Sequence, residues 1–185
     1  MELRDLTGDA DALRALAHPV RLALVEVLGR DGALTASEAG RVLGESAGTM
    51  SWHLSVLARY GFVVEGEGVG RRRPWKLAAE GQRWDAPTDP AEQAAGKALA
   101  HLVLERHVRR IEAWFDDRAS APEQWRAAAD LSSLTVPLTP AEAAEVSDQV
   151  LALLARYDDR RGGSTTRPAD AVPVHVLLAL TPELP

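Results

Sequence analysis

Between Ser46 and Gly61 the stretch SAGTMSWHLSVLARYG sets two kinds of residue at helical spacing. At about 100° per residue, Met50, Leu54 and Leu57 gather on one side, with Ala47 and Ala58 beside them. Gly48, Trp52, Ser55 and Arg59 gather on the other, and Ser46, Thr49 and Ser51 add hydroxyls close by. The outer face is thus small, polar, aromatic and basic. It can hydrogen-bond phosphates and base edges, or stack on a sugar or a thymine methyl. A second cluster, Arg71-Arg72-Arg73, supplies three cations of the kind that meet phosphates or the minor groove. The chemistry within reach of these residues is recognition.

Those side chains need a frame. Ser46 is a helix N-cap, and Gly61 stands where a left-handed C-cap is wanted. Ahead of it, Thr35-Ala36-Ser37-Glu38 is a capping box opening a short helix to about Leu43, and Gly44-Glu45 makes a tight turn. Two helices joined so closely, the second with a polar outer face, predict a helix-turn-helix. Upstream, an amphipathic segment is expected over about Asp9–Ala17. A longer helix follows from Pro19 to about Arg30, with Leu22, Val25 and Leu28 inward and Gly29 and Gly32 as its stop. Downstream, Phe62–Glu65 reads as a strand, Gly66–Gly70 as a turn, and Arg71–Leu77 as a returning strand. That hairpin would carry the arginines at its tip, as a wing.

Asp85–Pro90 looks like a boundary, dividing the chain into 1–84 and 85–185. Asp89, Pro90 and Glu92 predict a strong helix start, with cap, first-turn proline and capping-box acid. The helix should run to about Asp116, with Leu104, Val108, Ile111 and Phe115 as a packed seam long enough to reach a second subunit. A shorter helix carrying Trp125 follows. A third opens on the capping box Thr139-Pro140-Ala141-Glu142 and continues through Val146, Val150, Leu153 and Tyr157. Leu134, Val136 and Leu138 alternate as in a strand. So do Val172, Val174, Val176, Leu178 and Leu180, where Pro173 restricts the strand to an edge or bulge. The polar run Arg160–Asp170 reads as a mobile loop. The fold class expected is mainly α with small β (α+β): a winged helix-turn-helix, a long dimerisation helix and a small α/β appendage.

Composition narrows the function classes. The 185 residues contain no cysteine, which excludes disulfides, thiolate metal sites and cysteine nucleophiles. No apolar run approaches the ~20 residues that span a bilayer, and the acidic, polar N-terminus is no secretory signal. A soluble, cytoplasmic protein without membrane partners is the expectation. The net charge of −6 is unevenly placed: residues 1–84 hold 11 acidic and 11 basic side chains, residues 85–185 hold 16 and 10. A neutral first unit with a basic edge suits a polyanion, since phosphate attraction follows the local field.

Residues about 12–78 resemble the ArsR-type winged helix-turn-helix transcriptional regulators. The resemblance rests on Leu13-Arg14-Ala15-Leu16-Ala17-His18-Pro19-Val20-Arg21-Leu22, then on Ser51-x-His53-Leu54-x-x-Leu57-x-x-x-Gly61-x-Val63, with a basic wing at the expected distance. It implies a homodimer that binds double-stranded DNA at two half-sites of an inverted repeat, and a repressor is the regulator expected. The outer face of Ala47–Tyr60 would be its recognition helix, and the helix after the wing would join the dimer interface. The DNA-binding residues expected are Ser46, Gly48, Thr49, Ser51, Trp52, Ser55, Arg59, Arg71, Arg72 and Arg73. The family's founding members sense metals through cysteines, absent here. By the resemblance, an alternative metal site would use His and carboxylate residues on the helix after the wing, here His101, Glu105 and His107. His101 and Glu105 are an i,i+4 pair but His107 points elsewhere, so they read as solvated surface, and no metal and no cofactor are expected. A tail of some hundred residues exceeds a minimal member and leaves room for a small-molecule effector that needs no thiol.

The rival readings are simple. Trp52 could meet a protein, making the chain a winged-helix interaction module with weak or no DNA binding. Trp84, Trp114 and Trp125 read as core or interface aromatics, with an apolar ligand pocket as the alternative. His18 and His53 read as structural histidines at helix junctions. Gly66-x-Gly68-x-Gly70 leads into a strand, so it lacks the context of a nucleotide loop, and no nucleophile elbow or metal-hydrolase helix occurs. An enzyme is not expected.

Overall fold

A computed structural model of the chain describes residues 3–67, 73–79, 81–84, 89–162, 164 and 166–183. Four helices build the first unit. The helix α1 (Ala10–Leu16) starts on Asp9, whose carboxylate accepts from Ala12 N. Next, α2 (Pro19–Asp31) begins with proline in its first turn, and His18 Nδ1 accepts from Val20 N. The short α3 (Ala36–Leu43) has both halves of its capping box, and α4 (Ala47–Arg59) is capped by Ser46. Gly44, at φ +72°, takes the left-handed conformation that ends α3, and Gly61, at φ +69°, reverses the chain after α4. The predicted bounds hold to within a residue or two, because caps are local chemistry.

The inward stripe of α4 reaches the centre of the core. Met50, Leu54 and Leu57 are fully buried among Leu13, Leu16, Leu24, Leu28 and Phe62. Each such side chain contributes about 1.5–3 kcal/mol relative to exposure. The strands β2 (Val63–Glu65) and β3 (Trp75–Leu77) pair antiparallel, Val63 opposite Leu77 and Glu65 opposite Trp75. Trp75 also exchanges backbone hydrogen bonds with Leu34, at 2.8 and 3.0 Å, which pins the hairpin to the α2–α3 turn. The architecture is mainly α with small β, and its first unit is a winged helix-turn-helix.

One pairing has no counterpart in the sequence reading. The segment β1 (Leu3–Asp5) runs parallel to β4 (Gly81–Arg83), and Leu6 N extends the ladder to Arg83 O at 2.9 Å. It sets Arg4 under the C-terminal end of α4. There its guanidinium donates to the Tyr60 carbonyl, lies 4.4 Å from the Phe62 ring centroid and stands 3.8 Å from the Asp9 carboxylate. A cation is favoured at a helix C-terminus, and here it closes the turn at Gly61.

The long helix α5 (Pro90–Asp117) spans about 42 Å at 1.5 Å per residue. Its first third belongs to the core: Ala95 and Leu99 are buried, and Trp84 and Leu13 lie beside Gly96 at ordinary van der Waals distance from where a Cβ would stand. Asp89 caps Ala91 N and Glu92 N, but Glu92 does not close the expected capping box. Its buried carboxylate accepts instead from Gly8 N, tying α5 to the β1–α1 turn. Further along, Arg106 and Arg110 both donate to Glu26 of α2. Burial pushes the Glu26 carboxyl up, and the hydrogen bonds and charges of the two arginines outweigh it, leaving it below its ordinary value. Glu26→Gln is therefore expected to lower the unfolding free energy by about 1–3 kcal/mol at neutral pH, because it strands two half-buried guanidiniums. Urea titration against the wild type measures it, and the difference should shrink as pH falls below the unfolded carboxyl value of about 4.3 and through the lower value Glu26 has in the fold.

A 3-10 turn (Arg118–Ser120) leads to α6 (Glu123–Ala128), and α7 (Pro140–Ala155) begins on an intact Thr139–Glu142 capping box. The flanking segments differ from expectation. Neither Leu134–Leu138 nor Val172–Leu180 has a ladder partner among the described residues, and both lie without regular structure. Alternation marks what a strand would bury, but a strand exists only beside a neighbour. The seam on α5 is likewise open, with Leu104, Val108 and Phe115 each nearly half exposed. Conversely, the run expected to be mobile, 160–170, is docked at its described residues. Gly162 N donates to Gly29 O at 3.2 Å, and Arg167 donates to Arg30 O at 2.7 Å.

Candidate nucleic-acid interface

The outer face of α4 is built by two features of the chain. Gly40 lets α3 and α4 approach until a Cβ there would stand 2.6 Å from the Glu45 carbonyl. The burial of Met50, Leu54 and Leu57 then fixes the rotation of α4 about its own axis. Ser46, Gly48, Ser51, Trp52, Ser55 and Arg59 are all exposed on the far side, and Thr49 is half-buried. They share one surface, as their spacing implies.

The hydroxyls on that surface are partly engaged. Ser46 Oγ accepts from Thr49 N at 3.0 Å and shares a 2.8 Å hydrogen bond with Thr49 Oγ1. Ser55 Oγ donates to Ser51 O at 2.8 Å, so its lone pairs face outward as acceptors. Ser51 lies on the same exposed face with Trp52 and Arg59. Trp52 is 60% exposed, with its ring edge-on to His53 at 4.7 Å. An indole so placed keeps a large apolar plane in water, which a sugar or a base would cover.

His53 itself is buried. Its ring lies 4.8 Å from that of His18, at the junction of α4 with the start of α2, and its Nδ1 has no hydrogen-bond partner among the described residues. Burial holds both imidazoles below the ordinary value; Arg21 adds to this for each, and His18 does so for His53, while Glu45 acts weakly the other way. His107 and His175, whose rings meet edge-on at 6.4 Å, are held down by burial and then by Arg110. For a histidine the neutral form is the one the fold prefers when its pKa is lowered. Stability is fully present above the unfolded value of ~6.5 and falls as pH drops through it, because the unfolded chain then binds more protons. Melting temperature should therefore be flat from pH 7 to 8 and lower at pH 5.5. Calorimetry at constant ionic strength measures this, and equal values at pH 5.5 and 7.5 would contradict it.

At the hairpin, Arg73 pairs with Glu65 at 2.9 Å, and both side chains are largely exposed. Such a pair is worth about 0–1 kcal/mol, so a phosphate can replace the carboxylate at little cost. Arg71 and Arg72, with the turn residues Gly68–Gly70, lie outside the described residues. Among the described residues no three His, Asp or Glu side chains come together as a metal site. Trp84 packs over Gly96, while Trp114 and Trp125 are half-buried. An open cleft of about 310 Å³ between the β1/β4 ladder and α7 is lined by Leu3, Arg83, Asp148, Leu151, Ala152 and Ala155, with no tryptophan among them.

Spacing revealed the face of α4 but not its supports. Arg4 carries no periodic signal, since its role depends on a three-residue ladder with β4. The Glu26 pair had one clue, two arginines at i,i+4 on one face of α5.

The chain matches the family described as a helix-turn-helix domain over residues 16–66, from the end of α1 to just past β2. No curated protein matches it. The winged geometry and this match together make the first unit a helix-turn-helix DNA-binding domain, the kind of domain that transcription regulators use. No helix among the described residues is long and apolar enough to cross a membrane.

Proposed function

We propose that the protein is a dimeric transcriptional repressor of the ArsR type, reading an inverted repeat in double-stranded DNA and carrying no catalytic activity. The observation that carries this reading is the α4 face. Six of its seven expected contact residues stand exposed together on a helix whose opposite side is locked in the core. In such a complex α4 enters the major groove, Ser51 and Ser55 meet base edges or phosphates, and Trp52 covers a sugar or thymine methyl. The wing adds Arg71, Arg72 and Arg73 to the backbone alongside. Half-site spacing is fixed by the DNA, so a change that rotated the protomers would release both α4 helices together.

Control by an effector without thiols is part of the proposal. The contacts supporting it are those that join the tail to α2: Glu26 with Arg106 and Arg110, Gly162 with Gly29, and Arg167 with Arg30. A ligand that moved α5 or the 158–167 segment would act on the helix that buttresses α4.

Selection of bound fragments from genomic DNA, followed by footprinting, tests the reading. A protected inverted repeat is expected, with affinity falling steeply with salt at roughly one unit of log–log slope per phosphate contact. Equal affinity and equal salt slope on every probe would sink it.

A further inference from the structure

Two stretches of the tail are uncharged and apolar, 131–139 and 171–182. In the folded protomer neither has a buried side chain. Leu134 is 84% exposed, Val136 60%, Val174 63% and Val176 54%. Among the described residues, no backbone N–H of 130–138 or 172–183 donates to another backbone group. Each segment thus presents both an apolar face and unpaired peptide groups, the two features of a strand that lacks its neighbour. The second lies along α5, where His175 meets His107, and α5 continues the exposed surface with Leu104 and Val108.

The amount exposed decides what covers it. Large apolar side chains on α5, α7 and the two segments are 36–84% exposed, on the order of 1,000 Å² in sum, and a standard interface buries about 800 Å² per partner. The uncharged segments have no charge with which to select a different protein. An antiparallel pairing of like strands is self-complementary about a two-fold axis, so a second copy of this chain satisfies it. Pro137 and Pro173 each lack a donor, which lets a strand pair on one edge only and ends the sheet at the dimer.

We infer that residues 131–138 and 172–180 become strands only across the dimer, each protomer's segments being covered by those of a second copy. The inference rests on the dimeric reading above and names its surface: the extended segments as well as α5.

Hydrogen exchange on the full-length protein tests it, together with light scattering across a dilution series. At dimer concentrations the amides of 131–138 and 172–180 should be protected, and dilution to monomer should remove that protection, which pairing within one chain would not show. The double variant Val174→Asp, Val176→Asp should weaken dimerisation at least ten-fold, while the helical circular dichroism of the winged unit is unchanged. A wild-type dimer whose 131–138 and 172–180 amides exchange freely overturns the inference. So does a dimer unmoved by the double variant yet split by Leu104→Asp with Val108→Asp. In either case the dimeric DNA-reading protein survives with α5 alone as its seam. A wild-type chain that stays monomeric and binds a single half-site overturns both.

Discussion

Replacing Gly40 by alanine is expected to lower the unfolding free energy by about 3 kcal/mol, and to abolish DNA binding in the fraction that still folds. A Cβ at this position would stand 2.6 Å from the Glu45 carbonyl oxygen and 3.5 Å from Ala47 N and Ser46 C. Those atoms are backbone, so no side-chain rotation relieves the clash. The turn is also held by Gly40 itself, whose carbonyl accepts from Gly44 N and from Glu45 N, the latter at 2.9 Å. Relief therefore means opening the angle between α3 and α4, which moves the outer face of α4 relative to the wing. Two neighbouring glycines make the comparison sharp. Gly44 has nothing within 4 Å of its Cβ position but sits at φ +72°, so its alanine variant carries only a backbone cost of about 1 kcal/mol. Gly48 has room and ordinary dihedrals, so Gly48→Ala should gain up to about 1 kcal/mol of helix stability. Chemical denaturation of the three variants should rank them in that order. If Gly40→Ala cost no more than Gly44→Ala, the close packing of the two helices would not be what shapes the site.

What could be read from the sequence follows how local each cause is. The caps at Thr35, Ser46 and Thr139 act within three residues, and all three are found as expected. The rotation of α4 follows from the period of Met50, Leu54 and Leu57 alone. Glu92 shows the limit: its spacing from Asp89 suits a capping box, but Gly8, eighty-four residues away, offers its N–H and takes the carboxylate. The β1/β4 ladder pairs Leu3-Arg4-Asp5 with Gly81-Gln82-Arg83, segments too short and too polar to show alternation. Arg4 therefore carries no sequence signal, though it closes the end of α4. At 160–170 a polar composition correctly marks a surface loop but says nothing of docking, because the contact runs through the backbones of Gly162 and Gly29. A Cβ on Gly32 would stand 2.1 Å from the Gly162 carbonyl, so the fit there uses the absence of side chains. In the tail the alternating residues are present, but among the described residues they have no ladder partner.

Trp52→Ala should separate stability from recognition. The side chain is 60% exposed, and its main contact within the protein is edge-on with His53. Its removal leaves Met50, Leu54 and Leu57 untouched, so the unfolding free energy should stay within about 0.5 kcal/mol of the wild type. DNA affinity should fall by about 1–3 kcal/mol, a factor of roughly five to a hundred and fifty, if the indole covers a base or sugar as its position on α4 implies. The salt slope should not change, because an indole neutralises no phosphate. Arg59→Ala on the same face should do the reverse in kind, reducing the slope by about one unit. These two signatures cannot both arise from a loosened fold, which would weaken binding to every sequence and melt earlier. If Trp52→Ala leaves affinity for the selected operator unchanged, the exposed indole faces a protein partner, and the hydroxyls and arginines around it must carry the DNA contact alone.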